Sequence, residues 1–277
     1  MAKITITKED FEAAIPVAST KNSYILDMLQ PYIELAAEEV ERDIMGGVGM
    51  DAYEDGTNER LAKLAKGNVC FRAFLPHFRS LDVVLTATGF GVVSTQDTAP
   101  ASKMRTDALK SQLDIEAERN RCALLIELFH IEGWNEQPIR QTLVPTLFWN
   151  FDLLGMYAGK ESPIINDWRS AQPLIAEADG ILRNHIGDAL MDRLLDKLTS
   201  ANIDKVEIKA VTMIQQIMGM HINGYKTAEK TYYKRLMNYI EKHIDSFLEY
   251  KDSDEYKYNH FKGYENTKDS GMFIFQG

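Results

Sequence analysis

Residues 30–44, QPYIELAAEEVERDI, decide the fold, because the chain carries them twice. An offset of 142 positions lands on residues 172–186, QPLIAEADGILRNHI. Gln30/Gln172, Pro31/Pro173, Ile33/Ile175, Ala36/Ala178 and Ile44/Ile186 are identical, Val40 falls on Leu182, and no gap is needed. Both stretches space their apolar residues by three and four, which draws one stripe down a helix. They read as one helical unit, duplicated and diverged. That predicts a mainly α fold of two similar helical bundles, residues 1–143 and 144–277, with a β-hairpin insert at 81–99 and short terminal strands.

Outward from this stretch, the first stripe extends back to Ile25 and Leu29. Pro31 lies within it. A proline deep in a helix costs roughly 3 kcal/mol, but little in a first turn. The helix therefore starts near Gln30 or kinks there, and Gly46, Gly47 and Gly49 are expected to end it. Upstream, KITIT at 3–7 alternates like a strand. Thr7 and Asp10 then form a capping box for a short helix carrying Phe11 and Ile15. Downstream, Thr57 is expected to cap a helix over about 58–78, and a long helix follows over about 101–131. Between them lies LDVVLTATGFGVVSTQDTAP, residues 81–100. Its two β-type runs flank Ala87-Thr88-Gly89, as a hairpin or extended arm does.

The second copy repeats the plan. TLFWNF, 146–151, is expected as a strand, with Asp152 falling on Asp10 and Leu153 on Phe11. Ser162-Pro163 reads as a helix start, and Gly187-Asp188 as a break. Asp204 with Glu207 is a capping box opening a helix over 205–222. A last helix runs over about 226–249, followed by a polar tail, 250–270, and a strand-like end, GMFIFQG. Nothing between Ile222 and Ala228 matches the hairpin. A period this long exceeds that of solenoid repeats.

Composition narrows the class. Forty-five per cent apolar and 26% charged residues suit a globular chain. The formal net charge of −10 argues against a general nucleic-acid binder, which needs clustered positive charge. An acidic surface instead lets a nucleic acid pass without sticking. No apolar run approaches a membrane span, and the first residues lack a signal-peptide pattern. Cys70 and Cys122 occupy apolar helical positions, so buried reduced thiols are expected, with a disulfide as the alternative.

Candidate chemistry is sparse. Glu127 and His130 form an E-x-x-H, half of a di-iron carboxylate site. His77, His185, His221, His243 and His260 have no Glu three residues before them, so a surface or core histidine is expected and no metal. Gly89-Phe90-Gly91 opens no helix at phosphate-loop spacing. Ser102-Lys103 reads as a cap, and His243 as a partly buried member of an apolar stripe. The tryptophans, Trp134, Trp149 and Trp168, are too scattered for a base-stacking platform. No nucleophile motif is present, and the expectation is a protein without catalytic residues or cofactor. The hairpin is the candidate partner contact, through Val84, Leu85, Thr86, Thr88, Phe90, Val92 and Val93.

Two groups of residues carry a family resemblance. YILDMLQPYIELAAEEVERDIMGG followed by NERLAKLAKGNVCFRAFL, repeated more weakly at 164–187 and 205–222, resembles the helical head–tail connector (adaptor) proteins of tailed bacteriophages. LDVVLTATGFGVVSTQDTAPASKMRTDAL, 81–109, is similar to a segment of an uncharacterised family carried by bacterial genomes and prophages. The resemblance implies a structural protein of virion assembly that forms or joins a ring below the portal. Its partners would be copies of itself and portal and tail proteins, with DNA passing without sequence-specific binding and no membrane. It would reside in the host cytoplasm, then in the virion. Simple connectors hold one such helical unit, whereas this chain has two. Two alternatives stand beside it: a helical metal- or small-ligand protein or enzyme with a site between the bundles, and a bacterial cytoplasmic scaffold.

Overall fold

A side chain closing on its own backbone starts the first helix. Thr7 Oγ1 accepts from the Asp10 amide at 3.2 Å, and the Asp10 carboxylate accepts from the Thr7 amide at 3.0 Å. The computed structural model describes residues 2–16, 24–79, 83–86, 89–92 and 102–260. Helix α1 (Lys8–Ala14) leads to α2 (Tyr24–Val40), which runs through Pro31 into a π-helical turn, Glu41–Met45. The glycines then redirect the helix instead of ending it. Gly46 has φ +63°, a left-handed value that favours glycine, and α3 (Gly46–Asp55) starts there at once. Trp134 holds the bend, its indole N–H donating to the Met45 carbonyl at 2.8 Å.

Helix α4 (Glu59–Phe74) is capped by Asn58, not Thr57, through a 2.9 Å bond from the Leu61 amide. Strands β1 (Val83–Thr86) and β2 (Gly89–Val92) pair antiparallel, Val83 opposite Val92 and Thr86 opposite Gly89. Next come α5 (Lys103–Phe129), α6 (Pro138–Leu143) and α7 (Leu153–Tyr157). Helix α8 (Ile165–Ile186) runs through Pro173 and starts past the expected Ser162-Pro163, where the Asp167 carboxylate accepts from the Ile164 amide at 3.0 Å. Gly187, φ +87°, separates it from α9 (Asp188–Thr199). The Asp204–Glu207 capping box opens α10 (Lys205–Ile222). Helix α11 (Lys226–Lys242) stops short of the expected end. In place of its last turns and of a polar tail come α12 (Leu248–Lys251) and α13 (Asp254–Asn259), with Phe247 and Tyr250 fully buried between.

The mainly helical fold expected from the sequence is the one observed. Two expected strands are not formed. Residues 3–7 make no ladder, because the Glu41 carboxylate accepts from the Lys3 and Ile4 amides at 2.5 and 2.7 Å. Residues 146–151 fold as turns. Thr146 Oγ1 accepts from the Phe148 amide and Asn150 Oδ1 from the Asp152 amide, local bonds that compete with a strand. The strand-like end, 271–277, lies outside the described residues.

Helices α1 and α2 pack on α4, and α4 on α5. In the same order, α7 and α8 pack on α10, and α10 on α11. Burial follows the 142-residue offset: Leu29/Ala171, Ile33/Ile175, Ala36/Ala178, Val40/Leu182 and Ile44/Ile186 are buried in both members of each pair. The buried residues of both halves join in one cluster. Helix α5 meets α8 across the halves, and Gln215 Nε2 donates to the Leu147 carbonyl at 3.0 Å.

Candidate functional site: paired grooves

Three helices leave a groove in each half. In the first half, α2 contributes Glu39, α4 contributes Phe71 and Arg72, and α5 contributes Asp114 and Glu118 to a groove of about 580 Å³. Its walls are held by polar bonds. Buried Asn68 donates to Asn120 Oδ1 at 3.3 Å and accepts from Arg72 Nε at 3.1 Å. Lys110 pairs with Asp114 at 2.8 Å and Arg121 with Glu118 at 2.6 Å. Burial works to lower the Arg121 pKa, but the Glu118 bond outweighs it and keeps the guanidinium charged. The start of α8 lines this groove from the other half, through Ile165 and Arg169.

In the second half, α8 contributes Ile181 and His185, α10 Ile217, and α11 Glu229 and Tyr233, around about 180 Å³. Lys226 and Lys230 also line it. The offset of 142 places Glu39 on Ile181. Helix α9 is two residues longer than α3 (12 against 10), and the loop after it is longer too, which carries Phe71 to Ile217. The third wall carries a pair four residues apart in each half, Asp114/Glu118 and Glu229/Tyr233. Glu229 accepts from or donates charge to His221, whose Nδ1 lies 2.9 Å away. Burial pushes the Tyr233 phenol up to about 12, and its ring lies 4.8 Å from that of His185.

A third concavity of about 270 Å³ sits where α5, α9 and α10 meet, lined by Phe129, Trp149, Leu198 and Gln215, with His130 among its residues. Glu127 does not join His130 in a chelate; its carboxylate pairs with Arg60 Nε at 2.7 Å. Among the described residues no group of three or more His, Cys, Asp or Glu could hold a metal. Gly89 and Gly91 lie in β2, and Ser102 is the N-cap of α5. His243 follows α11, its ring 4.6 Å from that of Tyr239. The tryptophans are core residues. Of the hairpin positions, Val84, Leu85 and Thr86 lie in β1 and Phe90 and Val92 in β2; Thr88 and Val93 fall outside the described residues. The sequence did not single out the grooves, because each is assembled from helices far apart in the chain. The signal that finds them is the offset itself.

Cys70 and Cys122 are free and buried, and burial pushes their thiols up to about 12 and about 11. A thiolate is the reactive form. Ellman's reagent at neutral pH is expected to label neither in the folded chain and both in denaturant; prompt labelling of native protein would contradict this burial.

Fold and grooves together define a mainly helical protein with two related concavities, and among its described residues no helix is long and apolar enough to cross a membrane. Residues 32–127 and 195–260, more than half of the chain, match the model of a family of unknown function (DUF6712), and the chain belongs to that family. No curated protein and no solved structure matches it.

Proposed function

We propose that the chain is a non-enzymatic assembly protein of a phage or prophage particle, a head–tail connector that forms or joins a ring below the portal. Its partners are further copies of the chain and the portal and tail proteins, with DNA passing through unread. The observation that carries this is the seating of one half's helix start in the other half's groove. Such a contact uses two different patches, and when repeated between copies it is head-to-tail, the kind of contact that closes into rings. The shared burial pattern of α2 and α8 supports reading the halves as one duplicated unit. The resemblance of residues 24–75 and 81–109 to connector-type and prophage-borne sequences supports the setting. In this reading the hairpin is an arm, and residues 84–93 reach a neighbour or partner by strand addition.

The test is electron microscopy of the purified chain at high concentration, beside a variant lacking residues 84–94. Rings are expected for the intact chain. The deletion is expected to abolish them while the helical circular dichroism stays unchanged. A strictly monomeric intact chain sinks the connector reading, and normal rings from the deletion variant sink the arm.

A further inference from the structure

The first groove is filled from within the chain, and it shows what a filled groove needs. Its occupant is the start of α8, with Ile165 and Arg169 among the lining residues. The receiving walls carry Glu39, Asp114 and Glu118. A basic occupant thus meets a groove that supplies carboxylates. No residue of α2 lines the second groove, the place an equivalent helix start would take. In the same chain α2 is already packed on α4.

We propose that the second groove receives the start of α2 from another copy of this chain, seating Asp27 against Lys226 and Lys230. This rests on the duplication within the reading above, and it names the contact by which copies join. The offset that superposes α2 and α8 places Asp27 where Arg169 stands. The charge of the occupant is reversed, and so is that of the receiving wall. Lys226 and Lys230 line the groove, and Lys234 continues their row at four-residue spacing along α11. Glu229, the acidic member of this wall, is already matched by His221 at 2.9 Å. Asp27, Lys226, Lys230 and Lys234 are exposed and form no ion pair among the described residues.

Apolar surface supports the same contact. Beside Asp27, α2 exposes Met28, Tyr32 and Leu35, at 46, 41 and 56%. They follow one another at helical spacing on one stripe. The second groove offers Ile181, itself 38% exposed, and the aromatic pair His185 and Tyr233. The opposite charges select partner and register, and the apolar stripe supplies buried area. The seam inside the chain and the seam between copies share one geometry with charges exchanged. A copy therefore cannot seat its α8 start in a neighbour's second groove without placing Arg169 against the lysines.

Sedimentation velocity on the full chain tests this with three variants: D27K, K226E/K230E, and the combined D27K/K226E/K230E. The wild type is expected to associate with rising concentration, and less so at high salt, as exposed charges are screened. D27K and K226E/K230E are each expected to weaken association roughly tenfold or more, since each sets like charges together. The combined variant is expected to recover it. All substituted side chains are exposed, so circular dichroism should show unchanged helices. Association of the wild type that ignores both charge changes, or a combined variant no better than the separate ones, overturns this seam and leaves the assembly reading standing. A wild type monomeric at every concentration overturns both.

Discussion

Replacing Arg193 by alanine is expected to lower the free energy of unfolding by about 3 kcal/mol. Its guanidinium ties three parts of the second half together. Nη1 lies 2.5 Å from Glu207 on α10, Nη2 donates to the Ser246 carbonyl at 2.8 Å, and Nε lies 2.8 Å from Glu249 on α12. The Glu207 side chain is 2% exposed, and a buried carboxylate stripped of a partner is costly. The loss stays at the low end of the range for broken buried pairs, about 3–5 kcal/mol, because Lys197 remains on Glu207 at 2.7 Å. Acid provides an independent check. Burial works to raise the Glu207 pKa, but Lys197, the Asp204 amide and Arg193 together hold it below the ordinary carboxylate value. The stability this depressed pKa contributes is present above the unfolded-state value and is lost as pH falls through the folded one. Urea unfolding should therefore show a gap between wild type and R193A that is widest near neutral pH and narrows on acidification. An equal gap at both pH values would show that the guanidinium acts by packing alone.

The second large effect is expected at Gly219. Helix α10 lies so close to α7 that a Cβ there would collide with the Tyr157 carbonyl, which is backbone and cannot swing aside. The same close approach lets Asn223 Nδ2 reach the Ala158 carbonyl at 2.7 Å. Glycine inside a helix ordinarily destabilises by about 0.5–1 kcal/mol relative to alanine. Gly219→Ala should nevertheless destabilise, by about 1–3 kcal/mol, because overpacking outweighs the propensity gain. Gly180 in α8 is the control: nothing lies within 4 Å of a Cβ built there. Gly180→Ala should stabilise by about 0.5–1 kcal/mol. Thermal melts of the two variants should move in opposite directions; a common direction would mean that the α7–α10 approach does not constrain the fold.

Much of the helical plan was legible in the sequence, because its signals are local. The Thr7/Asp10 and Asp204/Glu207 boxes name their own helix starts. The stripes of α2 and α8 name their buried faces. Signals that depend on distant partners misled. Residues 3–7 alternate like a strand, but the Glu41 side chain takes the amides a ladder would have used. The glycines at 46–49 signal an ending, yet a distant indole, Trp134, holds the bend and lets the next helix start immediately. The grooves were illegible for the same reason: residues such as Glu39, Phe71 and Asp114 become neighbours only once three helices pack. What the sequence did hold was the register, which pairs Asp27 with Arg169.

Pro31 and Pro173 lie inside α2 and α8. A proline has no N–H to offer the carbonyl four residues back. In these helices those carbonyls belong to Asp27 and Arg169. Each helix start is joined to the rest of its helix with one rung of the ladder missing, at the very residue that addresses a groove. Bending there sacrifices no other backbone bond. The helices therefore combine a stiff shaft, which fixes the core, with a compliant tip, which can settle into a wall whose angle differs from one seam to the next.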